Sequence, residues 1–395
     1  MKDKYFSMLI IAFLLFIGLY SLIFQDDVSL FEKRNLHTNL ELNETSFLDS
    51  SFQNSIEDII ADQIPFRNEQ MYAYYKTKLA FYTPIMLTQN EMSLLRITED
   101  SSIVGKSDYM VYNLVEYDYV KYDYAASRAY NISILSEQNP SAKFYIYKPI
   151  RPEETTWFNT EFITSYAYQF EENFLQNLNP NISYHENLVT SWEEYQKLYY
   201  KADHHWNIDG AYNGYIEIVD ILNADFNIGE PRDVIEKKCF DEEFYGSFSY
   251  KVARVSKPDQ ICDLYLENQK EFTVYVDGIK YTDGIKETFV NGEKIPKYES
   301  LYELYYGNNS FERIYDFGNN TGLNLLIVSD SFSNPINAWL SSHFDKTIVL
   351  DPRASKGRSD AYLNKYIREY DIDAVVYLMC YDSLFMNGYF HIPTE

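Results

Sequence analysis

The chain opens with a long uncharged apolar run. Residues 5–24 carry no charged side chain, with two lysines shortly before them and two aspartates after them. A run of about 20 residues is long enough to cross the apolar core of a bilayer and exceeds the apolar part of a cleavable signal peptide. Because the basic residues come first, we expect a single uncleaved anchor in residues 1–26, with residue 1 in the cytoplasm and everything after the anchor outside the cell membrane.

Residues 27–110 have the pattern of a helical, loop-rich approach segment. Apolar positions recur at helical spacing between residues 51 and 80, which favours an amphipathic helix. Pro65 interrupts the pattern, because proline inside a helix removes a hydrogen bond and clashes with the preceding turn. We therefore expect a helix that breaks or kinks at Pro65, ahead of the main domain.

Helix-like and strand-like stretches alternate through residues 111–395. The strand-like stretches are residues 142–148, 182–185, 324–328, 347–350 and 374–378, and the helix-like stretches are 112–137, 160–178 and 210–222. Asn207 or Asp209 can cap the helix at 210–222. Such alternation predicts an α/β fold in which a mostly parallel sheet is flanked by helices.

A β-rich insertion is expected within this domain at about residues 231–300. Strand-like residues 272–276 and 288–290 lie on either side of turn pairs such as Asp277-Gly278. Two β-like runs around an Asp-Gly pair are typical of a β-hairpin. The insertion is therefore predicted to contain at least one hairpin.

The three cysteines need an explanation in a chain expected to lie largely outside the cytoplasm. Cys239 and Cys262 share one polar region, and a disulfide between them would close a loop, although the sequence leaves the pairing open. Cys380 lies in an apolar run, as a buried small side chain would. No CxxC pair occurs, so a thiolate zinc site has no support.

The excess of acidic residues excludes one class of binding partner. Aspartate and glutamate total 59 against 34 lysines and arginines, which gives a formal net charge of -25 at pH 7. A chain this acidic repels phosphate backbones, so no nucleic-acid partner is expected. The 39 tyrosines and 26 phenylalanines offer ring platforms for sugars, although the A/T-rich codons of these residues explain their abundance more simply.

The stretch KADHHWN at residues 201–207 concentrates candidate chemistry. Three interpretations are open: a metal site of Asp203, His204 and His205, a polar turn that caps the next helix, or a histidine base with its carboxylate. Adjacent histidines tend to diverge, and no HxxxH or HExxH helix supplies further ligands. The metal site is therefore disfavoured, and neither a metal nor a cofactor is expected.

A second candidate lies where an apolar strand ends. Residues 324–328 run directly into Ser329, Asp330 and Ser331, and ligands of open α/β sheets bind outside the carboxyl ends of strands. A helix beginning near Asn334 would place amides where they can stabilise an oxyanion. Serines at strand ends are also common caps, so this stretch alone does not establish catalysis.

The two stretches complement each other. A serine nucleophile needs a base within hydrogen-bond reach, and that base needs a carboxylate to fix its tautomer. Asp203 and His205, two residues apart in a turn, can point the same way. With Ser331 they form a candidate catalytic triad, and His204 is then the least important residue of the stretch.

These stretches resemble the DHHW protein family, which is related to the SGNH-hydrolase-like proteins that acetylate alginate and other bacterial exopolysaccharides. The resemblance rests on Asp-x-His-Trp at residues 203–206 and Ser-Asp-Ser-Phe-Ser at 329–333. Asp-Gln-Ile-Pro-Phe-Arg at residues 62–67 is similar to a further family element, D-x-F-P-x-R. The resemblance covers the chain from about residue 31 to its end and implies an SGNH-hydrolase-like α/β fold.

The resemblance also implies a set of site residues. It makes Ser331 the nucleophile, His205 the general base and Asp203 the acid that orients the base. Arg353, after the following strand, resembles a ligand-contacting arginine, although an arginine in so acidic a chain can equally be an exposed salt-bridge partner. Ser329 stands where the family often has glycine. Further substrate contacts are expected from Lys148, Trp206 and Ser329.

These features predict a membrane-anchored, extracytoplasmic acyl (acetyl) transferase or esterase that acts on a cell-surface polysaccharide or exopolysaccharide through an acyl-serine. A transferase needs an acyl group delivered by a membrane-bound donor protein, because acetyl-CoA is absent outside the cytoplasm. The acidic charge favours a neutral or cationic glycan over alginate. The alternative is a non-catalytic, membrane-anchored glycan-binding or wall-associated protein that uses its aromatic surface.

Overall fold

The structure is a computed structural model. It describes residues 2–29, 31–32, 34–40, 43–86, 88, 92–105, 107–159, 164–268, 271–281, 301–307, 310–354 and 361–386. The helices in these ranges are α1 (Lys2–Ile23), α2 (Glu44–Leu48), α3 (Ser51–Asp62), α4 (Arg67–Met86), α5 (Tyr119–Gln138), α6 (Ala167–Asn177), α7 (Trp192–Leu198), α8 (Ile208–Asn223), α9 (Ser247–Lys251), α10 (Leu301–Tyr306), α11 (Asn337–Ser341) and α12 (Ala361–Glu369).

The strands in the same ranges are β1 (Val28–Ser29), β2 (Arg34–Asn35), β3 (Leu94–Arg96), β4 (Ser101–Val104), β5 (Met110–Tyr112), β6 (Lys143–Lys148), β7 (Ser183–Glu186), β8 (Val234–Phe244), β9 (Asp259–Leu266), β10 (Thr273–Val276), β11 (Ile279–Tyr281), β12 (Glu312–Asp316), β13 (Asn324–Ser329), β14 (Lys346–Leu350) and β15 (Ala374–Leu378). Short 3-10 turns lie at Pro152–Glu154, Ser331–Ser333 and Pro352–Ala354.

A mixed sheet of eight described strands forms the centre of the molecule, in the order β11-β10-β12-β14-β13-β15-β6-β7. The strands from β14 to β7 pair in parallel, and those from β11 to β14 pair antiparallel. Along β13, Leu325 and Ile327 enter one hydrophobic core while Leu326 and Val328 enter the other. Both faces of the sheet are therefore buried, as parallel strands require. The predicted α/β fold, with a mostly parallel sheet flanked by helices, is confirmed.

The helix caps revise one prediction and confirm another. The helix predicted at 112–137 begins at Tyr119, because the Asp118 carboxylate accepts hydrogen bonds from the first-turn N–H groups and fixes the start there. Tyr112 lies instead in β5. The cap predicted at Asn207 is confirmed, since its Oδ1 accepts from the Asp209 and Gly210 N–H groups at 3.0 and 3.1 Å.

The approach segment is only partly helical. It forms α2, α3 and α4 between residues 44 and 86, and the predicted break at Pro65 lies between α3 and α4. Residues 94–112 then form the antiparallel sheet β3-β4-β5. The prediction of a helical segment thus applies to residues 44–86 and is wrong for 94–110, where three short strands pair with each other.

The segment predicted as a β-rich insertion divides between two sheets. Strands β8 and β9 form a separate antiparallel ribbon, joined by a disulfide between Cys239 and Cys262. Strands β10 and β11 instead extend the edge of the central sheet. Asp277 and Gly278 connect them with positive φ angles of 46° and 84°, the backbone that a tight two-residue hairpin turn needs. The second arm predicted at 288–290 lies outside the described residues.

Helix α1 is long and apolar enough to cross a membrane. Its apolar side chains are largely uncovered by the rest of the chain, with Phe13 and Leu15 59% and 60% exposed. A soluble protein would leave few such side chains in contact with water.

Candidate active site

The turn at residues 330–333 carries the predicted nucleophile, and we call it the nucleophile turn; it follows directly from β13. Asp330 leaves the strand in an extended conformation, and its carboxylate accepts hydrogen bonds from the Phe332 N–H at 3.0 Å and the Cys380 N–H at 2.9 Å. Cys380 follows β15, the parallel neighbour of β13. Asp330 therefore ties the turn that carries Ser331 to the carboxyl ends of two adjacent strands.

The turn at residues 201–206, which we call the histidine turn, is held by hydrogen bonds at both ends. The Asp259 carboxylate accepts from the Lys201 and Ala202 N–H groups at 2.9 and 3.1 Å. At the other end, the Trp206 indole N–H donates to the Phe332 carbonyl at 3.1 Å. Trp206 is 1% exposed, so this residue, predicted to contact substrate, instead joins the histidine turn to the nucleophile turn from within the core.

Asp203, His205 and Ser331 form one hydrogen-bonded chain. The Asp203 Oδ1 lies 2.5 Å from the His205 Nδ1 and 3.0 Å from the His205 backbone nitrogen. On the other side of the ring, the His205 Nε2 lies 2.7 Å from the Ser331 Oγ. These are the contacts that a nucleophile, its base and an orienting acid require.

The protonation states follow from the surroundings of Asp203. Burial opposes its ionisation, but attraction to His205 and His204 in their protonated forms and the hydrogen bonds from His205 and Ser247 outweigh it, so the pKa of Asp203 lies well below its usual range. An ionised carboxylate can only accept, so the His205 Nδ1 carries the proton and donates it. The Nε2 is then free to accept from the Ser331 hydroxyl.

His204 has a different role from His205. Its Nδ1 lies 2.9 Å from the Ser247 Oγ, and its ring packs against His205 with 3.9 Å between centroids. Burial and the neighbouring His205 lower the pKa of His204 to about 3. A neutral His204 adds no positive charge beside His205. It therefore supports the position of the His205 ring without competing for the hydrogen bond between His205 and Asp203.

Sequence reasoning missed two elements of the site, both from the chain between the histidine and the serine. Tyr302 stacks on His205 with 4.1 Å between ring centroids and an interplanar angle of 16°, and its O–H donates to the Ser331 carbonyl at 2.9 Å. The Ser247 N–H donates to the Asp203 Oδ2 at 2.7 Å. Gly246 allows this approach, because a Cβ there would lie 2.3 Å from the Asp203 Cβ.

A cavity of 580 Å³ opens over Ser331. Its charged lining residues are Glu32, Arg34, Asp203, Lys251, Glu303 and Arg353. Three carboxylates thus face three cations in a chain whose formal net charge is -25. The cavity is therefore far less acidic than the rest of the molecule.

Two of the remaining predicted residues lie near Ser331. Arg353 lines the cavity, and its Nε and Nη2 donate to the two oxygens of Asp351 at 2.9 and 2.7 Å. This pairing fixes the guanidinium in place. Ser329 is the last residue of β13 and is 2% exposed, and it is not among the described residues that line the cavity.

Lys148 lies elsewhere. It ends β6 as predicted but is 1% exposed, and its Nζ lies 2.5 Å from Glu154 and 2.6 Å from Glu186, with Glu171 at 3.6 Å. Burial works against its charge, but these carboxylates raise the pKa of Lys148 above its usual value. The ammonium is therefore enclosed by glutamates and does not line the cavity over Ser331 among the described residues.

The metal interpretation has a geometric counterpart. Asp203, His204 and His205 can place three ligand atoms within 4.8 Å of one another. Both ring nitrogens of His205 already have partners, however, and so do both carboxylate oxygens of Asp203. To bind a metal ion, His205 or Asp203 would have to give up one of these hydrogen bonds. The contacts therefore fit a triad better than a metal site.

No protein-family model and no curated protein matches the chain by sequence. Solved structures do match its fold. Bacillus cereus PatB1 aligns with a TM-score of 0.59 at 21% identity, over 73% of this chain and 99% of PatB1, and a PatB1 structure with a sulfonyl adduct aligns with a TM-score of 0.56. A DHHW family protein from Eubacterium siraeum aligns with a TM-score of 0.55 at 16% identity, over 75% of this chain and 95% of that protein.

The chain has the fold of a DHHW family protein. The O-acetyltransferase domain of Pseudomonas putida AlgJ also matches, less closely, with a TM-score of 0.40 at 12% identity, over 73% of this chain and 93% of that domain. The resemblance to the DHHW family therefore extends from short motifs to the arrangement of strands and helices.

Proposed function

We propose that the chain is a membrane-anchored, extracytoplasmic O-acyltransferase that esterifies hydroxyls of a cell-surface polysaccharide through an acyl-serine, with hydrolysis of the same ester as its water-dependent reaction. The observation that carries this proposal is the unbroken hydrogen-bonded chain from Asp203 through His205 to Ser331. Its position at the carboxyl ends of parallel strands is where α/β folds place their reactive groups.

In the first half of the reaction, the Ser331 Oγ attacks the carbonyl carbon of an acyl donor while the His205 Nε2 takes its proton. The tetrahedral intermediate collapses as the bond to the donor oxygen breaks, and His205 returns the proton to that oxygen. Asp203 stabilises the imidazolium between these two events. An acyl-Ser331 ester remains.

In the second half, an acceptor hydroxyl attacks the acyl-Ser331 carbonyl and gives its proton to His205. The bond to the Ser331 Oγ breaks, and His205 returns the proton to the serine. When the acceptor is a sugar hydroxyl the product is an acylated glycan, and when it is water the product is a free acid. The Arg353 guanidinium, held by Asp351 at the cavity wall, is the proposed contact for the acyl oxygen.

The anchor supports transfer over simple hydrolysis. A membrane-bound protein is the proposed source of the acyl group, and α1 keeps the catalytic domain beside the membrane when it spans it with residue 1 inside the cell. A cavity with balanced charges suits a neutral glycan. A strongly anionic polymer would be repelled by the formal net charge of -25 that the chain carries.

The test uses the full chain in detergent micelles. A sulfonyl fluoride is expected to modify Ser331 covalently, as located by peptide mass spectrometry, and p-nitrophenyl acetate hydrolysis is expected to fall at least 100-fold in Ser331→Ala and His205→Ala. A PatB1 structure carries a sulfonyl adduct, which makes this reagent a fitting probe. Absence of both the adduct and the Ser331-dependent hydrolysis would reject the acyl-serine chemistry.

The chain offers a matched control. Ser183 also lies 2.7 Å from a histidine nitrogen, that of His185, but on the edge strand β7 and outside the cavity. Ser183→Ala should leave both adduct and hydrolysis unchanged. Transfer itself is tested in cells: acetate released from surface polysaccharide should fall in a strain carrying Ser331→Ala and not in one carrying Ser183→Ala. Equal acetate in all strains would favour a non-catalytic role.

A further inference from the structure

The segment that follows α1 forms one wall of the cavity over Ser331. Strands β1 and β2 pair antiparallel, and with the described residues beside them, 26–29, 31–32 and 34–37, they form what we call the first hairpin. Glu32 and Arg34 of the first hairpin line the cavity together with Ser331. The chain that leaves the apolar helix therefore contributes side chains to the site.

Asp62 holds Arg34 and the end of the first hairpin. Its Oδ1 and Oδ2 accept from the two terminal nitrogens of Arg34 at 2.5 and 2.9 Å. The Oδ2 also accepts from the His37 N–H at 2.9 Å and lies 2.8 Å from the His37 Nδ1. Asp62 is 7% exposed, so a bidentate ion pair joins Arg34 to a largely buried carboxylate.

Gln63 and Arg67 hold the first hairpin at two further points. The Gln63 side-chain amide bonds both the N–H and the carbonyl of Asp26, at 3.0 and 2.9 Å. The Arg67 guanidinium donates to both carboxylate oxygens of Glu32, one of them at 3.1 Å. Phe66, with a positive φ of 57°, turns the chain between these two residues.

We propose that residues 62–67 are a positioning element that fixes the first hairpin as a wall of the catalytic cavity and thereby limits the size of the group that reaches Ser331. The Asp-Gln-Ile-Pro-Phe-Arg motif supplies no catalytic group of its own, yet three of its side chains converge on the first hairpin. Only the nature of the reacting group, an acyl ester, rests on the proposed function.

Thiol labelling measures access to the cavity without requiring catalysis. Full-length Ser331→Cys protein carries one accessible thiol, because Cys239 and Cys262 are bonded and Cys380 is 5% exposed. We expect Asp62→Asn to speed its labelling by the bulky fluorescein-5-maleimide at least 5-fold. Labelling by the small methyl methanethiosulfonate should change less than 2-fold. Hydrogen exchange at residues 26–37 should quicken in the same variant.

The control is an exposed ion pair whose nitrogen–oxygen distance is similar to those between Arg34 and Asp62. Asp108 accepts from the Lys257 Nζ at 2.7 Å and lies outside the cavity, so Asp108→Asn in the same background should leave all rates unchanged. General unfolding would expose Cys380 and show two labelled thiols by mass. In that case the same labelling rates are measured in Arg67→Gln and Glu32→Gln, each of which loosens one contact of the first hairpin. Faster labelling by the bulky reagent alone would support the positioning role.

Unchanged bulky-reagent labelling would overturn the positioning role, provided that hydrogen exchange shows a loosened first hairpin and the mass shows one labelled thiol. Unchanged hydrogen exchange at residues 26–37 would equally overturn it. If the protein proves catalytically silent, the labelling result still stands. If it is active, the ratio of p-nitrophenyl octanoate to acetate hydrolysis should rise in Asp62→Asn, whereas simple structural damage would lower both rates.

Discussion

Tyr302 stacks on the imidazole of His205 and at the same time donates a hydrogen bond to the Ser331 carbonyl. One side chain thus contacts both the proposed base and the residue that carries the proposed nucleophile. The stacked ring restricts rotation of His205, and the hydroxyl fixes the backbone beneath Ser331. Tyr302 is therefore a positioning residue for the proposed triad.

Replacement of Tyr302 should separate these two contacts. Tyr302→Phe keeps the ring and loses one hydrogen bond of about 1 kcal/mol, so kcat/KM for p-nitrophenyl acetate should fall roughly 5-fold. Tyr302→Ala also loses the stacking, worth about another 1 kcal/mol, so the loss should approach 30-fold. Equal rates in the wild type and both variants would show that His205 does not need this support.

Gly246 should not tolerate a side chain. A Cβ at this position would lie 2.3 Å from the Asp203 Cβ and 2.5 Å from the Ala202 carbonyl oxygen. Gly246→Ala should therefore push Asp203 away from His205, lower the free energy of unfolding by about 2 kcal/mol and slow formation of the sulfonyl adduct. Urea unfolding and adduct mass spectrometry measure the two effects.

Ser247→Ala is the matched control for this glycine. It keeps the backbone N–H that donates to Asp203 and removes only the hydroxyl beside His204. Adduct formation should stay within a factor of about 5, the effect of one neutral hydrogen bond. A larger loss in Ser247→Ala than in Gly246→Ala would mean that the hydroxyl, and not the backbone approach, supports the triad.

The acid stability of the protein should depend on His204. Its pKa is lowered to about 3 in the folded chain by burial and by His205, against about 6.5 in an unfolded chain. Below pH 6.5 the unfolded state therefore binds a proton that the folded state rejects. The contribution of His204 is fully present above pH 6.5 and is lost as the pH falls toward 3, by about 1 kcal/mol at pH 5.5.

The measurement is the difference between wild type and His204→Gln in urea unfolding at pH 7.5 and pH 5.5. Wild type should lose more stability on acidification than the variant. Other buried acids change stability in the same range; burial raises the pKa of Asp259 to about 6, for example. Their effects cancel in the difference, so identical pH slopes for both proteins would contradict the prediction.

The bond between Cys239 and Cys262 should be a main stabiliser of the β8-β9 ribbon. The ribbon is a two-stranded sheet, which is weak on its own. A Cys239→Ala, Cys262→Ala double variant should lose about 3 kcal/mol of unfolding free energy, the chain-entropy estimate for a loop of this size. Denatured wild type should show one free thiol before reduction and three after it.

The sequence predicted the proposed triad because its three residues lie in two short stretches with strong local signals. Asp203 and His205 share one turn, and Ser331 follows an unmistakable buried strand. The central sheet was predictable for a similar reason, since its parallel strands are continuous apolar runs. In these cases local pattern and tertiary position coincide.

Other parts of the site could not be predicted, because their signals depend on distant residues. Tyr302 is one of 39 tyrosines, and nothing near it in sequence marks it as the one beside His205. Lys148 was predicted to contact substrate because it ends a strand. That strand end faces glutamates from three other segments, Glu154, Glu171 and Glu186, which no local pattern reveals.

The first hairpin also limits the distance between the end of α1 and the cavity. Glu32 at the cavity wall is the ninth residue after Ile23, where α1 ends, and nine residue steps span at most about 32 Å. If α1 lies in the membrane, Ser331 stays within reach of the bilayer surface and cannot reach the outer layers of the cell envelope. Distance from the membrane would then select the acceptor, before any sugar is recognised.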